Sequence, residues 1–531
     1  MKLWHRFVVG TLVAAALAVA LPLIAAGRQG LLAPDPLAGT GGTIYVDADA
    51  TGGANNGTSW GDAYTDLEPA LAAALAGDQI WVAAGTYKPT AEHGGTGSRY
   101  RSFQMKNGVT LYGGFDPSAG IIEFEDRDWV SYVTILSGDI GAVGDPADNC
   151  YHVFYHPAGM GLDNTAILDG FTITGGNANE GSWPCFAGGG MFNDGSSPTL
   201  ANCTFSGNSA MNYGGGIYNR ESSSPLLTNC TFQNNSSTSN GGGMVNENGS
   251  SPVLTNCIFQ DNSAASGGGM WNISYVPATP TEPTLTGCTF AGNSSEYGAG
   301  IYNGPGSSPT LTDCTFADNQ GVGIYNQSSS PTLANCTFSG NSADNGGGML
   351  NRDGSSPTLT NCTFFGNSAD YYGGGIYNQS SSPALTNCTF WDNSAGPDGG
   401  GGLYNTISSS PVLTNCILWG DSPQEIKNSD AGSIAVVAYS DVQGDYDGEG
   451  NIDADPRFVD PGNGDLHLTA CSPCLDTGDN SAPDLPAFDF EGDDRTIDGN
   501  GDGIATVDMG VDEVAGGVCL RIYLPVVMRG Y

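Results

Sequence analysis

The sequence predicts an all-β protein: a single-stranded, right-handed parallel β-helix of three-strand coils with a short amino-terminal capping helix. Three observations carry this expectation. A unit built on Asn-Cys-Thr-Phe recurs at least nine times. Each unit holds three short β-prone pieces and no room for a helix of about ten residues. Glycine supplies 81 of the 531 residues while 39% of residues are hydrophobic, too many for a disordered Gly/Ser chain. The glycines therefore belong at turns between short buried strands.

The first element, residues 1–27, reads as a signal peptide. Lys2 and Arg6 form a positive start, Phe7 to Ala26 is apolar, and Ala25, Ala26 and Gly27 offer small residues for cleavage. The same run is near the length of a spanning helix, so an uncleaved amino-terminal anchor stays open. Pro22 favours cleavage, and either reading exports the remainder to a secreted or bacterial cell-surface, outer-membrane-associated location. No later run is long and apolar enough to span a bilayer.

Residues 43–90 read as an amino-terminal cap and first coil. Ile44-Tyr45-Val46 is a strand. Thr65 with Glu68 forms a capping box, and Leu67, Leu71 and Leu75 line one helical face. Gln79–Ala83 follows as a coil strand. Residues 91–185 read as irregular coils, with strands at Val109–Tyr112 and Phe171–Thr174.

Residues 186–420 carry the regular repeat. Its cysteines, Cys203, Cys230, Cys257, Cys288, Cys314, Cys336, Cys362, Cys388 and Cys416, are spaced 27, 27, 31, 26, 22, 26, 26 and 28 residues apart. In Ser196–Asn219 the β-prone pieces are Pro-Thr-Leu, Cys-Thr-Phe and Gly-Ile-Tyr, with turn residues between them. Strands this short without a hairpin partner must each pair with their copy in the next coil, in parallel, about 4.8 Å away, and for three-sided coils the right-handed form is expected. Alternation turns Cys203 and Phe205 inward and Thr204 outward. Asn202 and its copies suit a left-handed bend and an amide stack; Asn208 and its copies mark a second corner. In-register cysteines point the same way, so the nine read as buried thiols. A disulfide is expected within the set Cys150, Cys185, Cys471, Cys474 and Cys519.

Residues 421–515 read as a carboxy-terminal cap or anchor-type region, and 516–531 as an apolar tail too short to span a membrane. Asp498, Asn500 and Asp502 sit at calcium-loop spacing with Gly503 at its turn position, and Asp508 lies one place early for the closing ligand. Calcium is the one cofactor this offers, against the plain reading of an Asx-Gly turn.

Three stretches carry resemblances. The recurring Phe-x-x-Asn (FSGN, FQNN, FQDN, FAGN, FADN, FFGN, FWDN) with Gly-Gly-Gly-Ile resembles the repeat of polymorphic outer membrane proteins, surface-exposed bacterial passenger β-helices that include adhesins. The stretch GTSWGDAYTDLEPALAAALAGDQIWVAAGTYKPT is similar to the opening of bacterial pectate-lyase-like β-helix proteins. NIDADPRFVDPGNGDLHL, SPCLDTGD and VDMGVDEV resemble the carboxy-terminal region of the choice-of-anchor Q group, which implies location rather than chemistry.

The 55 acidic and 15 basic residues give a net charge of −40. Such a surface repels nucleic acid and anionic lipid. With Ile217 and its copies facing in, Phe192, Tyr218, Trp271, Tyr302, Tyr325, Tyr377 and Tyr404 face out as an aromatic column suited to sugar rings; the other reading is that they shield the sheet or pack inside. The expected function is a monomeric binding, adhesin-like or structural surface module whose partners are extracellular glycans. The alternative is a polysaccharide lyase or glycoside hydrolase. Between 186 and 420 the only basic residues are Arg220 and Arg352 and there is no histidine, so a hidden site falls in the irregular coils, near Lys106, Asp126, Arg127 and Asp139. No catalytic set stands out.

Overall fold

A computed structural model of the protein describes residues 41–516; the expected signal peptide, most of the apolar tail and Cys519 lie outside them. Among the described residues three long parallel sheets run side by side. The first has 14 strands, the second 13 and the third 11. The Pro-Thr-Leu pieces build the first sheet, from Thr43–Val46 to Val436–Ala438. The Cys-Thr-Phe pieces build the second, from Gly85–Tyr87 to Asp441–Val442. The Gly-Ile-Tyr pieces build the third, from Phe154–His156 to Ile426–Asn428. Thr43–Val46 pairs in parallel with Gln79–Ala83, so the solenoid starts one strand before the first coil strand read from the sequence.

Equivalent residues stack in register: Leu200 on Leu227, Phe205 on Phe232, Ile217 on Met244. One continuous core follows, with Leu, Cys, Phe and Ile or Met columns fully buried. The Phe rings from Phe205 to Phe390 stack face to face; Phe338 and Phe364 lie 4.6 Å apart and 2° from parallel. The nine ladder cysteines are buried free thiols. Eight of them point at a backbone carbonyl of the preceding coil, as Cys230 Sγ to Leu200 O at 3.5 Å, and Cys257 points at Thr255 O of its own coil. Cys150, Cys185 and Cys474 are also free thiols, and Cys471 is disulfide-bonded.

The corners are set by residues that accept positive φ. Asn202, Asn229, Asn256, Asp313, Asn335, Asn361, Asn387 and Asn415 all lie between 50° and 55°, with Gly287 at 62°. At the second corner the left-handed residue is the one before the recurring Asn: Gly207, Asn234, Asp261, Gly292, Asp318, Gly340, Gly366 and Asp392. This explains why only Gly, Asn or Asp precedes the last position of each Phe-x-x-Asn. Asn208 and its copies are buried and hand their amides along the axis, Asn208 Nδ2 to Asn235 Oδ1 at 3.1 Å and so on to Asn393 and Asp421. A third buried amide ladder, from Asn193 through Asn219 and Asn351 to Asn428, runs inside the third sheet at 2.9–3.0 Å per step. His156 terminates it at one end and Tyr446 at the other.

The cap departs from the sequence reading in two respects. The helix spans Leu67–Ala73, and its N-cap is Asp66, whose side chain accepts from Glu68 N, rather than Thr65. Asp66 stands one residue nearer the first turn, where its carboxylate reaches a free N–H group. Leu67 and Leu71 are buried, but Leu75 lies beyond the helix and is 73% exposed. At the far end the chain forms an antiparallel pair, Phe458–Asp460 with Asp465–Leu468. It then runs back over the Asn202-type corner: Asn361 donates to Phe488 O, Asn387 to Asp508 O and Asn415 to Asp479 O.

Candidate functional site

Each coil adds a lateral segment between its buried Asn and the Gly-rich entry to the third sheet. This segment folds over the outer face of that sheet. The outward column there reads Phe192, Tyr218, Val245, Trp271, Tyr302, Tyr325, Leu350, Tyr377 and Tyr404, in register. All but Tyr404 belong to clusters apart from the main core, so the parity agrees with the sequence reading. Their exposure does not. Tyr218 is 2% and Trp271 4% exposed, because Trp183 and Tyr213 lie over them, with Tyr213 stacked 5.7 Å from Tyr218. Alternation decides which side of a sheet a residue takes, not what covers that side.

One coil lacks most of its cover. Four residues, Gln320 to Gly323, separate Asn319 from Ile324, against seven between Asn293 and Ile301 and seven between Asn341 and Met349. The neighbouring lateral segments therefore stand as walls around a notch of about 550 Å³. Glu296 and Tyr297 form one wall, Asp344 and Asn345 the other, and Val322, Tyr325 and Leu350 the floor. The second wall is braced by parallel pairing of Ser342–Asn345 with Ser368–Tyr372. Tyr302 and Tyr325 stack at 5.3 Å, and Tyr297 meets Tyr325 edge-on at 5.6 Å. Leu350 interrupts the aromatic column before Tyr377 and Tyr404, which stack at 5.6 Å.

Polar groups rim the floor in a fixed order. Arg352 Nη1 donates to Tyr325 Oη at 3.1 Å, and its Nε donates to Asp353 Oδ2 at 3.0 Å. Tyr302 Oη donates to Gln327 Oε1 at 2.8 Å, and Gln327 Nε2 donates to Asp353 at 2.9 Å. The hydrogen bond that Arg352 donates to Tyr325 holds its guanidinium above its ordinary pKa, burial raises Tyr325, and burial pushes Tyr302 up to about 12. The phenols are therefore neutral and the guanidinium charged at physiological pH. Among the described residues, no histidine or cysteine lines the notch. Flat apolar ring faces flanked by carboxylates, amides and one fixed cation have the chemistry to meet a ligand with both apolar and hydroxyl-bearing faces. The shortest cysteine interval, 22 residues from Cys314 to Cys336, is the sequence signal that marks this site.

The other expected sites resolve differently. In Asp498–Gly503 the side-chain oxygens accept from the loop's own N–H groups: Asp498 Oδ1 from Gly501, Asp498 Oδ2 from Gly503, Asn500 Oδ1 from Asp502 and Asp502 Oδ1 from Ile504. Asp508 is buried elsewhere, accepting from Asp476 N and Val514 N. The segment is a chain of Asx turns, and Asp508 does not join it. Lys106 Nζ donates to Ala72 O and Ala74 O, closing the capping helix. Arg127 is a buried ion-pair partner of Asp169 at 2.9 Å, sandwiched by Tyr112 and Trp129. Both basic residues hold structure. A second hollow of about 410 Å³ over the second sheet, floored by Thr172, Thr204 and Thr231, is lined by no ionisable side chain among the described residues.

The family model described as "Right handed beta helix region" matches residues 122–281 and 276–443, which also gives the hand of the coil. Among solved structures, pectate lyase Pel9A aligns at 13% identity over 90% of this chain and 98% of its own, with a TM-score of 0.36. The tailspike protein 3 of bacteriophage CBA120 aligns at 10% identity over 77% of this chain and 60% of its own, with a TM-score of 0.35. A rhamnogalacturonan lyase aligns at 10% identity over 79% and 91%, with a TM-score of 0.28. No curated protein sequence matches the chain.

Proposed function

Since this chain belongs to the right handed beta helix region family, we propose that it is an exported, monomeric surface module that binds extracellular saccharide in the notch between Tyr297 and Asn345. One observation carries the reading: the coil at Asn319–Ile324 omits the cover that its neighbours keep, and it does so above stacked tyrosines. A saccharide ring would rest on Tyr297 and Tyr325, with hydroxyls in reach of Glu296, Asp344, Asn345 and Arg352. The apolar segment 7–26 supports export, and the polymorphic outer membrane protein-type repeat supports display at a bacterial surface.

The test is a glycan-array screen followed by calorimetric titration of the best ligand. Replacing Tyr297 or Tyr325 by Ala is expected to weaken binding by about 1–3 kcal/mol, the scale of one lost ring-stacking contact, without product release in a reducing-sugar assay. Binding that ignores both substitutions, or turnover of the ligand, overturns the reading.

A further inference from the structure

We infer that the saccharide taken by the notch is an amino sugar, whose free ammonium groups meet the carboxylates of the notch walls; this rests on the reading of the notch as a saccharide site and adds the charge of the ligand. Glu296 on one wall, Asp344 on the other and Asp370 on the strand that braces it all line the same hollow. Asp344 and Asp370 each directly follow a residue of the pair Ala343–Ala369 on adjacent parallel strands, so two like charges leave neighbouring points of the backbone. Like charges side by side across a strand pair are destabilising. The Tyr297 hydroxyl donates to Glu296, which raises its pKa and ties that carboxylate to an aromatic ring of the notch.

No cation of the regular repeat balances these charges. Its only basic residues between 186 and 420 are Arg220 and Arg352. Arg220 pairs with Glu221, several coils away, and Arg352 pairs with Asp353 at 3.0 Å while donating to Tyr325. The single guanidinium at the notch is therefore already neutralised, and three carboxylates face the hollow without an ion-pair partner among the described residues.

Unmet polar atoms point the same way. Asn345 Oδ1 and Ser295 Oγ, both of residues that line the notch, are closed to solvent and meet no hydrogen-bond partner among the described residues. Ser295 as a whole is only 7% exposed. A buried acceptor left without a donor is costly, and an ammonium group is a donor with no acceptor of its own. The ring faces of Tyr297, Tyr325 and Tyr377 attract a cation that sits over them, and a cleft lined by one sign of charge focuses the field of a chain of net charge −40. A uronate would bring a fourth carboxylate into this hollow. Each exposed carboxylate alone contributes little at physiological salt; the selection comes from three of them around one aromatic floor.

The experiment is calorimetric titration of the full chain at about pH 5.5, where carboxylates are ionised and amines protonated, and at about 0.15 M salt, where diffuse attraction is screened. The probes are a linear glucosamine tetramer, its fully N-acetylated counterpart and a galacturonate tetramer. The glucosamine tetramer should bind roughly tenfold or more tightly than the acetylated one, and the galacturonate least. Glu296→Gln/Asp344→Asn/Asp370→Asn should abolish that preference while the acetylated tetramer still binds, and Tyr325→Ala should weaken both tetramers. Equal, Tyr325-dependent affinity for the two tetramers overturns the inference and leaves the notch a saccharide site. A preference that survives either the triple substitution or Tyr325→Ala is diffuse attraction to the acidic surface and overturns it too. Absence of binding by the glucosamine tetramer overturns the inference, and absence of binding by any glycan on the array overturns the saccharide reading with it.

Discussion

Asn335 shows how single residues hold the coil. It sits at φ 53°, accepts from Asn361 Nδ2 at 3.2 Å and donates to Asp313 at 3.0 Å. Asn335→Ala is expected to cost roughly 2 kcal/mol, combining left-handed strain of about 1–2 kcal/mol with a lost hydrogen bond. Asn335→Gly, which keeps the backbone free, should cost less than half as much; denaturant midpoints of the two variants check this. The end of the buried amide ladder behaves differently. Asn393 donates to Asp421, whose N–H in turn donates to Glu425, and burial raises both carboxyls. An acid with a raised folded pKa holds a proton that the unfolded chain has released. Its presence therefore lowers stability as pH climbs from about 4 through the folded value. Asp421→Asn continues the ladder with an amide, and it should flatten that decline and stabilise the chain by about 1 kcal/mol or more at pH 8. Thermal midpoints from pH 5 to pH 8 for both proteins test the sign. At this scale the sequence was readable where side chain and backbone agree, as at Asn202. It was silent for Asn193 and its copies, because an Asn after Ile-Tyr looks like a turn residue until the sheet places it inside.

Strands and lateral segments form the next level. In-register Phe and Leu columns follow directly from the repeat, since a one-residue slip would turn every apolar side chain outward. Phe316, midway in the stack between Phe290 and Phe338, should cost about 3–5 kcal/mol on truncation to Ala, read as a lowered unfolding midpoint and faster hydrogen exchange in the flanking strands. The lateral segments were less legible. Tyr218 and Tyr302 occupy equivalent positions, yet Trp183 covers the first while the second borders the notch floor. That difference depends on segment length and on residues far away in sequence. Thr65 and Leu75 missed for a related reason: the three-residue spacing to Glu68 favours Thr65, and the apolar spacing extends the helix to Leu75, but the ends are decided by which groups reach the free N–H and C=O groups, here Asp66 at the start and a stop after Ala73.

The whole molecule is a stack whose coils contact chiefly their neighbours, so its stability is a sum of coil and interface terms and its ends are the weak points. The amino end is closed by the helix Leu67–Ala73 and by Lys106. The other end is closed by the segment that returns over Asn361, Asn387 and Asn415. Removing residues 473–516 should therefore loosen the last coils first, seen as hydrogen exchange spreading from Ile417–Trp419 toward Thr363–Phe365 while the amino-terminal coils stay protected. The repeat makes the stack and its direction legible from sequence alone. The caps are less so, because they are single-copy segments without a pattern to compare.

A graft tests the central claim, that a shortened lateral segment opens a saccharide site on an otherwise closed solenoid. Gln320–Gly323 would be replaced by the seven residues Ser342–Gly348 of the following coil, which restores the cover without touching Tyr325 or Arg352. Calorimetry against the saccharide selected by the array should show binding weakened at least tenfold, with far-UV circular dichroism and the thermal midpoint retained. Binding of unaltered strength in the grafted protein would contradict the account.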